Sequence, residues 1–359
     1  MTEHRAVLQE PRRRNLAILA GVAVIAVALA ALGLMRQASQ TASHETAQAL
    51  FPDLDDEARN IAHVRVQTAK NTVDIVFRPE KGWVVASHDD YPASFDTLRR
   101  TVQGLITLTT IERKTARRDW LPYVDLDSPE KGGRGTLVEV MDEHDHVLAA
   151  LITGKTIDIG DPNGASGLFV RRPGDPQSFL ARSYFTPQSD PAAWLDKTTL
   201  SIDRMRIAEA DVNPLSGPSY VVRRDNVMAQ DFTVVDLPKG RAVSYAGAPD
   251  VVGAALVDFS FDDVKPSHDF DFSDPAHLGR VVTKTFDNLV VTVSVLPQGA
   301  DYWATVSADG TSPDARREAR TIDARVTGWA YKLPAYKGQQ FLTPLENLLK
   351  PVGGATQSH

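Results

Sequence analysis

The chain of 359 residues contains no cysteine. It can therefore form neither a disulfide bond nor a thiolate metal site, and it cannot carry a lipid on an N-terminal cysteine. The chain beyond the N-terminus also lacks an excess of basic residues. Residues 1–36 hold five basic and two acidic side chains, so the net charge of -7 leaves -10 on the rest of the chain. Because an acidic surface gains nothing from phosphate groups, we expect no nucleic-acid partner.

Catalytic signatures are equally scarce. Residues 154–156 (GKT) resemble the end of a phosphate-binding loop, but Ala149 stands where the earlier glycine is required. The serines lack a G-x-S-x-G pattern, and adjacent carboxylates such as Asp89 and Asp90 are typical of solvated loops. The sequence therefore identifies no catalytic residue and no cofactor. An envelope hydrolase stays open as a minor alternative, because groups distant in the sequence can converge in space.

One short segment offers candidate metal ligands. His144 and His146 alternate with carboxylates in the sequence DEHDH at residues 142–146. Imidazole and carboxylate groups are common ligands of transition metals. The same five residues are what a solvated hairpin turn contains, and no third histidine lies near them in the sequence. Both interpretations stay open, and the turn is the commoner case.

A long apolar run lies near the N-terminus. It begins at Leu16, ends at Met35 and contains no charged residue, and its length matches a hydrocarbon core of about 30 Å. Most neighbouring basic residues precede it, which predicts a cytoplasmic N-terminus. A cleaved signal peptide and a twin-arginine export signal are the alternatives, but signal peptides normally have shorter apolar runs. We expect an uncleaved, single-pass transmembrane helix and a C-terminal region outside the cytoplasm.

The rest of the chain predicts an α+β fold rich in antiparallel strands. Residues 63–77 alternate apolar and polar side chains around a Lys-Asn turn, which is typical of a hairpin, and Trp83 lies in a third strand. Ser94 can cap a helix, because apolar residues follow it at helical spacing. Further strands are predicted at residues 108–114, 136–140, 147–153 and 167–172.

The same order starts again near Leu200. Strand-like segments at residues 202–212, 220–224 and 232–235 precede a helical segment at 249–257, and further strands are predicted at 259–264, 280–284, 289–296 and 302–306. We expect a diverged tandem repeat of two β-rich modules, each an antiparallel sheet with one main packed helix. Chance similarity of two α+β domains is the alternative. Residues 314–324 are helix-prone, residues 328–336 are rich in aromatics, and residues 342–350 can form a short amphipathic helix.

About 320 residues follow the apolar run, which is more than one hydrophobic core usually serves. We therefore divide the chain into six parts. They are a cytoplasmic tail (1–15), the transmembrane helix (16–35), a tether (36–49), a first module (50–198), a second module (199–353) and a disordered tail (354–359).

One loop combines basic and aromatic side chains. Arg117, Arg118, Trp120 and Tyr123 lie close together in it, whereas the other tryptophans lie in apolar segments where core packing is their usual role. Arginine and aromatic residues are enriched at protein interfaces. The loop is therefore a candidate interaction surface.

Several motifs together resemble a known family. They are KGWVV at residues 81–85, YPAS at 91–94, residues 167–172, QSFL at 177–180 and WLD at 194–196. In these motifs the chain resembles the membrane-anchored bacterial proteins of the domain of unknown function 4340 family, best over residues 61–225. The resemblance implies a single-pass protein of the bacterial inner membrane with a periplasmic C-terminal region. It also implies an association with an ABC-type transport system similar to the gliding-motility transporters, but no active site.

We accordingly expect a non-catalytic accessory or interaction protein. Its expected partners are the membrane, ABC transporter subunits or another envelope protein. The alternative is a module that binds a small solute or a glycan in the cleft between the two modules, because clefts between domains are common binding sites.

Overall fold

The computed structural model describes residues 48–351, in which antiparallel pairing joins the strands into two sheets. The first sheet contains β1 (Gln48–Ala49), β2 (His63–Gln67), β3 (Thr72–Arg78), β4 (Gly82–Val85), β5 (Tyr91–Pro92), β6 (Thr109–Arg113), β7 (Thr136–Met141), β8 (Val147–Asp158), β9 (Ser166–Arg171) and β10 (Ser178–Ser183). The second sheet contains β11 (Ile207–Asn213), β12 (Tyr220–Arg223), β13 (Thr233–Val234), β14 (Asp263–Pro266), β15 (Gly279–Thr285), β16 (Leu289–Gln298), β17 (Asp301–Gly310) and β18 (Trp329–Leu333). The α-helices are α1 (Leu54–Glu57), α2 (Phe95–Ile106), α3 (Asp250–Gly253), α4 (Pro313–Val326), α5 (Ala335–Phe341) and α6 (Leu345–Leu348).

The two sheets have a common strand order. The first runs β1-β6-β10-β9-β8-β7-β2-β3-β4-β5, and the second runs β14-β18-β17-β16-β15-β11-β12-β13. Eight strands correspond one to one in chain order, because each sheet begins with three strands, continues through a helix to an edge strand and ends with a four-stranded meander. The first sheet adds only the two-residue strands β1 and β5 at its edges.

Alternating apolar residues explain why these segments form strands. In β2, Val64 and Val66 are buried while their neighbours are partly exposed. In β16 the buried residues from Leu289 to Val295 alternate in the same way. Side chains of a strand point alternately to opposite faces, so this pattern puts one face of each sheet into the core.

Helix α2 confirms the helix predicted after Ser94. The Ser94 side chain accepts a hydrogen bond from the backbone N–H of Thr97 at 3.3 Å, which satisfies one of the free donors at the helix start. Leu98 and Leu105 are buried beneath the helix. Gly104 lies so close to the Phe185 ring that a Cβ built on it would be 2.1 Å from a ring carbon.

Aromatic side chains fill a seam between the two sheets, and a single cluster of buried apolar residues includes both. Tyr91 of β5 is 2% exposed and meets the rings of Phe261, Trp329 and Tyr331 edge-on, at centroid distances of 6.1, 5.0 and 6.4 Å. Edge-to-face pairs of this kind add to the stabilisation from burial. The seam therefore joins the first sheet to the second by packing as well as by the chain.

The second sheet departs from the sequence predictions in its helices. The helix predicted at residues 249–257 is limited to Asp250–Gly253, where Gly253 packs directly on the Phe232 ring. The longest helix of this part is α4, which packs on β17 and β16. The prediction of one main helix at 249–257 is therefore wrong. The helix-prone character of residues 314–324 is confirmed by α4.

Two strand predictions also differ from the structure. The strand predicted at residues 259–264 begins only at Asp263, because Phe259 and Phe261 are buried in the aromatic seam instead of lying in the sheet. The aromatic segment 328–336 contains a strand, β18, which was not predicted. The short helix predicted within residues 342–350 is present as α6.

Several predictions concern residues outside the described range. The predicted transmembrane helix from Leu16 to Met35, the cytoplasmic tail and the C-terminal tail all lie there. Within residues 48–351, no helix has both the length and the apolar character needed to cross a membrane.

Candidate interaction surface

The predicted interaction loop follows β6 and lies over one face of the first sheet. A 3-10 segment spans Arg118–Val124, and Leu121 within it is buried against Leu126, Leu137 and Ile152. The neighbouring Trp120 and Tyr123 point outward and are 51% and 74% exposed. The loop is therefore fixed by its aliphatic residue, while its aromatic residues face solvent.

The basic residues of this loop differ in their partners. Arg117 donates to the carboxylate of Asp119 through Nε at 3.2 Å and Nη2 at 2.6 Å, and its guanidinium lies 5.1 Å from the centre of the Trp120 ring. The hydrogen bond from Arg117 holds the pKa of the Asp119 carboxyl below its usual range. Arg118 is exposed and has no acidic partner among residues 48–351. We call Arg117, Arg118, Trp120 and Tyr123 the basic-aromatic surface.

Buried polar contacts hold the end of this loop in place. Arg171 of β9 is 6% exposed, and its Nε donates to the carbonyl of Leu126 at 2.6 Å. Burial lowers the pKa of Arg171, but the carbonyl acceptor satisfies the guanidinium. Gly154 is required beneath the loop, because a Cβ there would be 2.1 Å from the carbonyl oxygen of Val124. This position explains the glycine of the GKT sequence without any phosphate.

The described part of the chain begins at the edge of the first sheet, in a strand that pairs with β6, and β6 leads into this loop. Gln48 pairs with Thr110 and Ala49 with Thr109, and the two strands are antiparallel. Strand β1 therefore begins on the side toward which β6 continues, through Arg113 into the loop. At Leu50, which follows β1, the carbonyl accepts a hydrogen bond from Nη2 of Arg172 at 2.7 Å.

His144 and His146 lie on an exposed turn between β7 and β8. Their rings are stacked with centroids 6.1 Å apart, and the side chains are 69% and 79% exposed. Asp142 organises the turn by accepting backbone hydrogen bonds from both histidines, at 2.8 and 2.9 Å. In the part of the chain that the structure describes, no group of three or more His, Asp or Glu side chains is arranged to hold a metal ion.

A third histidine lies closer to this turn than the sequence indicated. His63 of β2 is 3.4 Å from Asp145 through Nδ1 and 2.7 Å from Asp74 through Nε2. The hydrogen bond from His63 is the main cause of the lowered pKa of Asp74, to which Arg65 also contributes. Sequence reasoning missed His63 because the strand pairing of β2 with β7, and not sequence proximity, brings it to the turn.

The carboxylate pairs lie at separate positions. Asp90 follows Asp89 in a tight turn with positive φ at both residues, and its carboxylate is 3.2 Å from the ammonium of Lys81. Asp263 instead lies near His88 across the two sheets. Each of these carboxylates therefore lies in a turn or beside a basic side chain.

The second sheet carries a surface pocket of about 880 Å³. Aromatic and amide side chains line it, including Tyr302, Tyr336, Gln339, Gln340 and Asn347. Tyr336 is 61% exposed, and its hydroxyl lies 3.2 Å from that of Ser260. Sequence reasoning did not identify this pocket, because its residues come from four separate segments of the chain.

Residues 48–351 thus define an α+β protein of two antiparallel sheets with an exposed basic-aromatic loop. Residues 83–276, more than half of the chain, match the family described as Domain of unknown function (DUF4340), and the chain belongs to this family. The family membership that the sequence motifs predicted is therefore confirmed. No curated protein and no solved structure matches the chain.

Proposed function

We propose that this chain is a membrane-anchored, extracytoplasmic interaction protein that acts as an accessory to an ABC-type transport system. One observation carries the proposal. Trp120 and Tyr123 are exposed on a firmly held loop, on the side of the sheet from which the chain enters at Gln48. Large aromatic side chains that contribute little to the core are typical of contact surfaces. The association with a transport system is what the family resemblance implies.

The membrane location rests on the apolar run from Leu16 to Met35 and on the basic residues before it. Only twelve residues separate Met35 from Gln48. An anchor in that run would keep the sheets close to the bilayer of a bacterial inner membrane, on its periplasmic side. A partner within or beside the same membrane fits this position best.

Topology can be tested without background labelling, because the natural chain has no cysteine. Thr2→Cys places a thiol in the N-terminal tail, and Lys70→Cys places one in the exposed turn between β2 and β3. A membrane-impermeant maleimide added to intact spheroplasts should label Lys70→Cys alone. Labelling of Thr2→Cys alone, or release of the chain by alkaline carbonate, would contradict the proposed anchor.

The partner can be tested by purification of the tagged full chain from detergent-solubilised bacterial membranes. We expect the ATPase and permease subunits of an ABC-type transporter to copurify in a fixed ratio. The matched control is the untagged chain in the same membranes. A pure preparation of the tagged chain with no membrane subunit bound would count against the accessory role.

The common strand order of the two sheets supports a further part of this proposal, that they are diverged tandem copies of one module. Eight strands correspond in order and direction, and a helix stands at the same place in each. Structures of other members that keep the order in both halves would support duplication. A member with an unrelated second half would oppose it.

A second candidate function is binding of a glycan or small solute in the second sheet's pocket. Tyrosine rings beside amide side chains offer both stacking and hydrogen bonding, which suits a polar ligand. Screening of the detergent-purified full chain against a glycan array would test it. Binding should be lost in Tyr336→Ala and kept in Tyr245→Ala, which removes another exposed tyrosine. Equal binding by both variants would exclude this pocket.

A further inference from the structure

The basic-aromatic surface is basic within an otherwise acidic region. Residues 113–118 (RKTARR) contain four basic side chains and no acidic one, whereas residues 37–359 carry a net charge of -10. Asp119 partly offsets this charge by pairing with Arg117, and Glu112 does so by pairing with Lys114 at 2.6 Å. The exposed guanidinium of Arg118 has no acidic partner among residues 48–351.

The aromatic residues of the surface are of the kind that lies at a membrane interface. Tryptophan and tyrosine are enriched at the level of the lipid headgroups, where an apolar ring and a polar tip are both satisfied. Basic side chains beside them gain from the negative potential of anionic lipids. Trp120 and Tyr123 are exposed while Leu121 between them is buried, so both rings are available without unfolding the loop.

The length of chain between the predicted anchor and β1 limits how far from the bilayer the basic-aromatic surface can lie. Strand β1 fixes Gln48 against Thr110, on the side of the sheet that leads to the loop. The twelve residues between Met35 and Gln48 can span at most about 43 Å when fully extended. An anchor within residues 16–35 therefore keeps Gln48 within about 43 Å of the bilayer, a distance from which this end of the sheet can reach the headgroups.

We propose that the basic-aromatic surface docks onto the headgroup layer of anionic lipids and so forms a second membrane contact of the chain. This inference rests on the proposed function, because it requires the anchor. Trp120 and Tyr123 enter the interface, and Arg117 and Arg118 bind lipid phosphates. The first sheet is then held at a fixed orientation to the bilayer instead of turning freely about its tether.

Tryptophan quenching tests this proposal directly. The full chain is reconstituted into vesicles of phosphatidylglycerol and phosphatidylethanolamine that contain lipid brominated near the headgroup. No tryptophan lies in residues 1–47, so the anchor adds no signal. Among the other four tryptophans, Trp194 and Trp303 are buried and Trp83 and Trp329 are partly buried, so the signal that Trp120→Phe removes is assigned to Trp120. We expect quenching that disappears in Trp120→Phe and weakens at high salt. It should also weaken when phosphatidylcholine replaces the anionic lipid.

Arginine variants provide the quantitative arm of the test. Arg117→Gln with Arg118→Gln should lower the ratio of docked to undocked chains about fivefold for each charge removed. The matched control is Arg316→Gln with Arg320→Gln on the exposed face of α4, which should leave quenching unchanged. Equal quenching in Trp120→Phe, or no effect of the arginine variants, would overturn the proposal.

The failures of the two proposals are distinguishable. Release of the chain from the vesicles by alkaline carbonate would refute the anchor and hence the proposed function. A retained chain with Trp120 unquenched would refute lipid docking alone. If Trp120 emission then responds only to added transporter subunits, the surface binds a protein instead.

Discussion

His88 Nε2, between β4 and β5 of the first sheet, lies 3.1 Å from Asp263 Oδ1 of β14 in the second sheet, although 175 positions separate the two residues in the chain. Burial of Asp263 opposes its ionisation. The hydrogen bonds from His88 and from the backbone N–H of Val264 nevertheless hold the pKa of Asp263 below its usual range. The pair is therefore a polar link beside the aromatic seam.

Replacement of Asp263 by asparagine should weaken this link in a pH-dependent way. A lowered pKa contributes stability that is present above the unfolded pKa of about 4, and this stability is lost as the pH falls through the lower folded pKa. The loss at pH 7 should be below about 1 kcal/mol, because Asp263 is partly exposed. Urea unfolding of both proteins between pH 2.5 and pH 7, at about half-unit steps, measures the difference. A constant difference over this range would contradict the assignment.

Tyr91 should contribute more, because it is buried in the seam. Its hydroxyl lies 2.9 Å from Thr199 Oγ1 and 3.1 Å from the carbonyl of Asp196. Tyr91→Phe should lower the free energy of unfolding by about 1 kcal/mol, and Tyr91→Ala by about 3–5 kcal/mol. Denaturant unfolding of the detergent-purified full chain measures both, and Tyr245→Ala at an exposed position is the control.

Alkaline pH provides an independent test of Tyr91. Burial raises the pKa of Tyr91 to about 12, despite the hydrogen bond with Thr199. A pKa that is raised by folding contributes stability that is fully present below the pKa of tyrosine in the unfolded chain, about 10. This stability is lost as the pH rises through the pKa of Tyr91 in the folded chain. Tyr91→Phe should therefore become less destabilising relative to the natural chain as the pH rises above 10. An unchanged difference up to unfolding would show that Tyr91 is not buried.

Lys337 differs from Tyr91 because folding buries its charged group and lowers its pKa. It is 4% exposed, and its ammonium donates to the carbonyl of Ala255 at 3.0 Å. Burial lowers the pKa of Lys337 in the folded chain. Below this folded pKa the buried charge reduces the free energy of unfolding. The reduction disappears as the pH rises to the pKa of lysine in the unfolded chain, about 10.5. The natural chain should therefore gain stability relative to Lys337→Met as the pH rises from 7 to 10.5, and urea unfolding of both proteins measures this gain. Parallel stability curves would contradict this prediction.

Gly104→Ala reverses the usual rule for helices. Alanine in place of glycine normally stabilises a helix by about 1 kcal/mol. Here the new Cβ would be 2.1–2.8 Å from three carbons of Phe185, so we expect a loss of about 1–3 kcal/mol. Thermal unfolding compares this variant with Gln103→Ala at the exposed neighbouring position. Stabilisation by Gly104→Ala would mean that Phe185 does not pack on the helix.

Local patterns in the sequence were enough to predict much of the first module. The hairpin at residues 63–77 alternates strictly, and Ser94 precedes residues at helical spacing, so each element is determined by its own residues. Strand β10 was missed because Ser178 and Ser183 are buried polar residues. The hydroxyl of Ser178 donates to the carbonyl of Thr115 in a distant segment, and that of Ser183 donates to the nearby carbonyl of Phe185. Neither hydrogen bond leaves a periodic apolar signal in the sequence.

The second module was harder to predict because tertiary packing overrides its local pattern. Phe259 and Phe261 resemble the start of a strand, yet they pack against Tyr331 in the seam. In the candidate surface, the residue types at Trp120 and Tyr123 were enough to identify the loop. That β1 lies along the strand leading into this loop follows only from the pairing of β1 with β6, which is two residues long.

That short pairing has a mechanical consequence. Any pull transmitted along the chain before Gln48 reaches the folded region through β1, which is held to β6 and followed by the hydrogen bond from the N–H of Leu50 to the carbonyl of Leu108. Because β1 lies antiparallel at the edge, tension along its axis loads these bonds together in shear instead of opening them one by one. Arg172 adds a side-chain hydrogen bond to the carbonyl of Leu50. Force applied to the tether is therefore transmitted to the folded region at this edge of the first sheet.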